Sequence, residues 1–279
     1  MFSAAMERFP LLLPYGLTCL IAHMLLYITF RYLPFSFAAA PWKVSPSFTA
    51  HKMVAFCAMN HWCYLGLIHV WSFDYSNSNS NAGYYVPAGY EIAQIAMGAL
   101  LCWDIPMSLT GSAGPIDTMM HLHHFGMVVV TACVLGGAVG THVAPIFLGA
   151  IELSSIPLQV VDFFHPKKNF HWYKYASSST ASSPFFQKAC SNANEVSRIL
   201  FAVLFLAVRA LYFPYVAVTI AIPDFYKEGS LPSTILLIMC ILFSLLQMYW
   251  GYLVIQQVKK ALLSEETTSR ERHDIKSNQ

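Results

Sequence analysis

Charge is scarce in this chain. Lys, Arg, Asp and Glu make up 11% of its 279 residues, where a soluble domain carries about a quarter. So little ionic surface excludes a water-soluble globular protein of this length. The charge that exists sums to +2 and forms no basic stripe, so no nucleic-acid partner is expected. The cysteines (Cys19, Cys57, Cys63, Cys102, Cys133, Cys190 and Cys240) fall almost entirely inside apolar blocks. A disulfide framework needs them in outer loops, so they read as reduced, small hydrophobes. No N-x-S/T sequon is present. No cysteine pair and no two-His, one-carboxylate helix motif stands at metal-ligand spacing, so no metal is expected. SLTGSAG follows the third apolar block, where a seven-span receptor would ordinarily carry an acidic-Arg-aromatic signature, and this argues against that class.

What the chain has instead is apolar length. It is 56% hydrophobic with a mean hydropathy of +0.51, and the apolar residues gather into blocks of about twenty, enough to cross a bilayer core. The blocks are Leu11–Phe30, Phe48–Trp71, Pro87–Thr110, His121–Gly140, Val143–Phe164, Glu195–Ile220 and Leu231–Val258. The fold class that follows is all-α, a multi-pass transmembrane helical bundle of about seven spans. The first block, behind MFSAAMERFP, reads as a retained span rather than a cleaved signal. The fourth and fifth blocks are separated by so few residues that they are expected to pack as an antiparallel hairpin.

Basic residues set the orientation. Arg31, Lys43 and Lys52 flank the first connection, Lys167, Lys168, Lys174 and Lys188 occupy the fifth, and Lys259 and Lys260 follow the last span. The other side has Arg8 and Lys227, and its DYSNSNSNAGYY connection, a polar linker, has no basic residue. The N-terminus is therefore expected outside the cytosol and the C-terminus inside it. HPKKNFHWYKY, followed by SSSTASS, reads as an aromatic belt with cytosolic lysines. The organisation expected is a first span and connection over 1–40, a membrane domain over 41–260, and a charged, disordered cytosolic tail over 261–279.

An ionisable residue inside a span costs about 2.5–3.5 kcal/mol on insertion scales, so it normally faces the bundle interior or a cavity. Asp104, His123, His124, Glu152 and Arg209 are such residues. At 1.5 Å per residue, Glu152 and Arg209 fall at similar depths and are expected to pair. In MMHLHHFG, His121 and His124 share a helix face while His123 points about 100° away, so adjacent histidines cannot both aim at one small target. A histidine here can be neutral, accept a proton or attack an acyl carbonyl, with Asp104 or Glu152 to set its tautomer. His51, His61 and His69 read as edge or inter-helix hydrogen-bonders.

The order of these motifs resembles the TLC-domain family. Trp42 and Lys43 precede His51, then come Trp103-Asp104, His123-His124, GAIELSSIP with Glu152 and Pro157, and LFLAVRALYFPY with Arg209. The resemblance implies a multispan protein of the endoplasmic reticulum concerned with lipids. It implies His123, His124, Asp104 and Glu152 as catalytic candidates, with Arg209, Trp103 and His51 lining the substrate. It also implies no bound cofactor, with acyl-CoA as the co-substrate of the enzymatic members. In ceramide synthases the first histidine of such a pair, here His123, is thought to carry the acyl group. Those synthases follow it with an HDxSD-type acidic stretch, where this chain has IELSSIP, so it resembles the less characterised TLC branch more closely. Two functions stay open. One is lipid binding or regulation, with membrane lipids as partners and protein cargo or a second copy as further candidates. The other is acyl-CoA-dependent lipid N-acyl transfer, with sphingolipid chemistry as its nearest precedent.

Overall fold

A computed structural model describes residues 9–32, 41–72, 86–114, 118–137, 139–177 and 184–277. The DYSNSNSNAGYY linker and most of SSSTASS lie outside the described residues. Seven helices are long and apolar enough to cross a membrane: α1 Leu12–Tyr32, α2 Pro46–Val70, α3 Pro87–Leu109, α4 Thr118–Gly137, α5 Pro145–Phe163, α6 Lys188–Glu228 and α7 Leu231–Lys260. There is no strand among the described residues, as expected where no water is at hand to satisfy an open backbone.

Six helices form a ring. Going round it, α2 packs on α3, α3 on α4, α4 on α7, α7 on α6, α6 on α5, and α5 back on α2. The first turns of α5 also reach α3 across the ring, pinching it shut at the end away from the lysines. Helix α1 stands outside, in the groove between α2 and α3. It buries Gly16, Cys19 and His23 and leaves Ile21, Leu25 and Ile28 exposed, as a lipid-facing helix must. Close approach there depends on small residues: a Cβ on Gly16 would strike the Gly98 carbonyl of α3.

The hairpin expected of α4 and α5 does not form. After a tight turn with Gly140 at φ 75°, α4 packs on α3 and α7 while α5 packs on α2 and α6. Phe147, Phe213 and Phe225 wedge between the diverging helices and line an apolar slot of about 40 Å³. A short loop fixes connectivity, and the bulky side chains at the fork decide the packing.

The helices are not uniform. Wide π turns occupy Leu100–Asp104, Pro145–Gly149, Phe205–Tyr212 and Ala217–Ala221, and a tight 3₁₀ stretch occupies Ala150–Ser154. Three of the four precede a proline, Pro106, Pro214 and Pro223, whereas Pro145–Gly149 begins with one. A proline ring clashes with the carbonyl four residues back and leaves it without a donor. Those carbonyls belong to Cys102, Ala210 and Thr219, all inside the wide turns. At the C-terminus, helix continues from Leu231 to Ser277, through the stretch whose charge pointed to a disordered tail. Extending an existing helix adds one hydrogen bond per residue fixed, without a new nucleation cost.

Candidate functional site

The ring encloses a cavity of about 370 Å³, set toward the end that carries Lys52 and Lys168. All six ring helices line it. His51 and Lys52 come from α2, Trp103 and Asp104 from α3, His123 and His124 from α4, Glu152 and Asp162 from α5, Arg209 from α6, and Trp250 and Val254 from α7. Each site residue anticipated from the sequence borders this space.

Two polar clusters organise it. In the first, Glu152 Oε2 accepts from Arg209 Nη2 at 3.0 Å, so the pair expected from helix depth is present. Arg209 also donates from Nε to Ser154 Oγ at 2.7 Å and from Nη2 to Ser155 Oγ at 2.8 Å. All four residues are buried. The local backbone makes this possible. The 3₁₀ turn brings Glu152, Ser154 and Ser155 toward α6, and Arg209 leaves α6 from a π turn, a distortion frequent at functional sites. A guanidinium deep in a bilayer is tolerable when its fork is matched in this way.

In the second cluster, Asp104 ends the wide turn of α3 and meets two histidines. His124 Nδ1 lies 2.7 Å from Asp104 Oδ2, and His51 Nε2 lies 3.3 Å from Oδ1. The His124 contact is an ion-pair approach, since Asp104 Oδ2 has no aligned hydrogen-bond donor among the described residues, and it leaves Nε2 as the His124 nitrogen open to a ligand. His123 points elsewhere, as helix geometry requires. Its ring packs edge-on against Phe243 at 5.3 Å and Trp250 at 5.7 Å, and its buried Nδ1 has no hydrogen-bond partner among the described residues. His123 and Met127 border both the polar cavity and the apolar slot, so the two spaces adjoin there.

Behind Asp104 stands a support that the sequence did not announce. The Trp103 indole donates to His23 Nδ1 at 3.3 Å, and the His51 ring stacks on Trp103 at 4.7 Å. His23 Nε2 lies 3.3 Å from Ser47 Oγ. The outer helix α1 thus braces the site through one nearly inaccessible histidine. His61 bonds across helices to the Tyr15 hydroxyl at 3.2 Å, in keeping with its expected inter-helix role.

At the lysine end of the cavity, Asp162 holds Lys52 at 2.7 Å and Lys168 at 2.8 Å. Asp162 lies in the fifth apolar block but was not among the anticipated residues.

The TLC domain, as a family profile, matches residues 47–256. No curated protein and no solved structure matches the chain. The matched stretch runs from the start of α2 nearly to the end of α7 and so takes in the whole six-helix ring, and the chain belongs to the TLC-domain family of membrane proteins.

Proposed function

We propose that this protein acts in membrane lipid homeostasis by taking an amphipathic lipid into the ring, polar group against the His–Asp and Arg–Glu clusters. The observation that carries this reading is the polarity of the enclosed space. A cavity of about 370 Å³ with ionisable lining adjoins, at His123 and Met127, a slot lined almost wholly by apolar side chains. The volume lies in the range of sites for small organic ligands, about 300–1,000 Å³. The basic end faces the cytosol in this proposal, and the endoplasmic reticulum is the compartment we favour. The test is lipid extraction from purified protein alongside cellular lipid profiles with and without it. We expect one lipid class to copurify and to shift in the profiles. Its retention should fall in Trp250→Ala, which alters the cavity wall. Unselective copurification and unchanged profiles would sink the reading.

A second reading rests on one contact, the 2.7 Å approach of His124 Nδ1 to Asp104. A carboxylate-oriented imidazole is a general base. His124 Nε2 would take the proton of an acceptor amine or hydroxyl as that group attacks the thioester of an acyl-CoA. The proton would then pass to the departing thiolate. The resemblance pointed to His123 as an acyl carrier, and the geometry favours His124 as the reacting imidazole. Purified protein with labelled acyl-CoA and sphingoid or glycerolipid acceptors tests this. Transfer lost in His124→Gln and retained in His123→Gln is the expected result. No transfer to any acceptor ends the enzymatic reading.

A further inference from the structure

We propose that the lysine end of the cavity is a phosphate site, built by Lys52, Lys168 and Asp162 to hold the anionic head of a single-chain amphiphile. The proposal rests on the lipid-chamber reading and names the headgroup class that chamber selects.

The argument starts from a charge count. Asp162, a buried carboxylate, offers one negative charge and is gripped at both oxygens, by Lys52 Nζ at 2.7 Å and Lys168 Nζ at 2.8 Å. One carboxylate between two ammonium groups leaves one positive charge in excess among these residues. The Lys52 side chain is only 11% exposed, and its further partner is the neutral Gln159 Oε1 at 3.3 Å. A poorly hydrated cation without a full counter-charge is costly, and an incoming anion offsets that cost. Deeper in the cavity, Arg209 is already matched by Glu152, so it does not compete for the anion.

Position decides what kind of anion. Lys52, Lys168 and Gln159 border the same cavity as His124 and Met127, and Met127 also borders the apolar slot. An occupant whose charge rests on the lysines therefore has its chain directed inward, past the histidines. The surroundings reinforce the sign of the field. Burial and the nearby Lys168, Lys167 and Arg198 hold the His165 imidazole below its ordinary pKa, with Asp162 opposing. Lys168 is the more exposed lysine, at 37%, and has ammonium donors to spare beyond its Asp162 bond. Phosphate suits such a site because its several oxygens can bridge two ammonium groups while keeping a negative charge at all working pH values.

The test uses the full-length protein in a neutral detergent and measures binding of three ligands with the same acyl chain: lysophosphatidate, monoacylglycerol and acyl-CoA. We expect at least one phosphate-bearing ligand to bind roughly tenfold more tightly than monoacylglycerol, the scale of one charge-assisted contact. A preference for lysophosphatidate alone assigns a lipid headgroup, and a preference for acyl-CoA alone assigns a coenzyme phosphate. Lys168→Met should reduce the preference to within about twofold, and Lys168→Arg should restore it. Replacing Lys259 and Lys260 together controls for general attraction at the same end, and should change nothing. Equal binding of all three ligands overturns the phosphate site while leaving the lipid chamber standing. Equal loss in the Lys259/Lys260 control also overturns it. No binding of any ligand overturns both.

Discussion

At the scale of single residues, the membrane makes charge informative. An ionisable side chain inside an apolar block has few tolerable environments, so Asp104, His123, His124, Glu152 and Arg209 stood out and all five border one cavity. The Glu152–Arg209 pair invites a measurement. Removing either partner leaves the other buried and unmatched, at a cost of about 3–5 kcal/mol. Glu152→Leu or Arg209→Met should each lower the thermal midpoint in detergent, and the double replacement should recover much of the loss. Strictly additive damage would show that the two do not support each other. The histidines divide their labour by rotation about the helix. His124 takes the carboxylate, while His123 sits among Phe243 and Trp250. If lipid binding needs only polar lining, His124→Gln should keep affinity within about threefold, since an amide retains hydrogen-bonding capacity. A loss beyond tenfold would show that the imidazole itself is required. Hidden from the sequence were the residues whose role depends on a partner far along the chain. Ser154 and Ser155 matter because Arg209 arrives between them, and His23 because the Trp103 indole does.

Elements carry the geometry that delivers these groups. Asp104 and Arg209 leave their helices from π turns, and Glu152 leaves from a 3₁₀ turn. Changing the pitch rotates every later side chain, so these distortions set which face meets the cavity. Glycine sets how closely the helices meet. A Cβ on Gly66 of α2 would strike the Ala150 backbone nitrogen of α5 and come within 2.6 Å of the Gly149 carbonyl carbon. The obstacle is backbone, which cannot swing aside as a long side chain does. Gly66→Ala should therefore destabilise by roughly 1–3 kcal/mol, the usual scale of overpacking. It should also displace the 3₁₀ turn that presents Glu152. A melting curve together with lipid-retention assays checks this, and an unchanged midpoint would refute the tight crossing. The spans themselves were legible because about twenty apolar residues in a row have few other uses. The lateral order was not. Hydropathy says that a helix crosses, and it does not say beside which neighbour. For that reason α4 and α5 read as a hairpin although they separate round the ring. Three of the four π turns were legible in principle, since Pro106, Pro214 and Pro223 each follow one.

For the whole molecule, the ring and its outer helix match the family boundary. The TLC domain spans 47–256 and α1 precedes it. The remaining global question is which way the ring faces, and three independent features bear on it. With seven spans the two ends of the chain must lie on opposite sides. Lys52, Asp162 and Lys168 meet at one end of the ring, and that end also gathers aromatic side chains of the kind found at membrane interfaces. Trp42 packs on Trp172 at 5.9 Å and on Tyr175 at 6.4 Å, while the Trp172 indole donates to Thr49 Oγ1 at 3.0 Å. Lys259 and Lys260 close α7 at the same end, because α2 begins there and the six crossings from α2 to α7, an even number, return the chain to it. The positive-inside tendency predicts that this end, and with it the lysine end of the cavity, faces the cytosol. Asn79→Cys and Gln279→Cys, each in a variant whose native cysteines are replaced, test that arrangement by labelling sealed vesicles with an impermeant reagent. In vesicles with the cytosolic face outward, Gln279→Cys should react directly and Asn79→Cys only after the membrane is opened. Labelling of both from the same side would refute the odd number of crossings. The reverse pattern would keep the ring but turn it over, opening the lysine-lined mouth away from the cytosol.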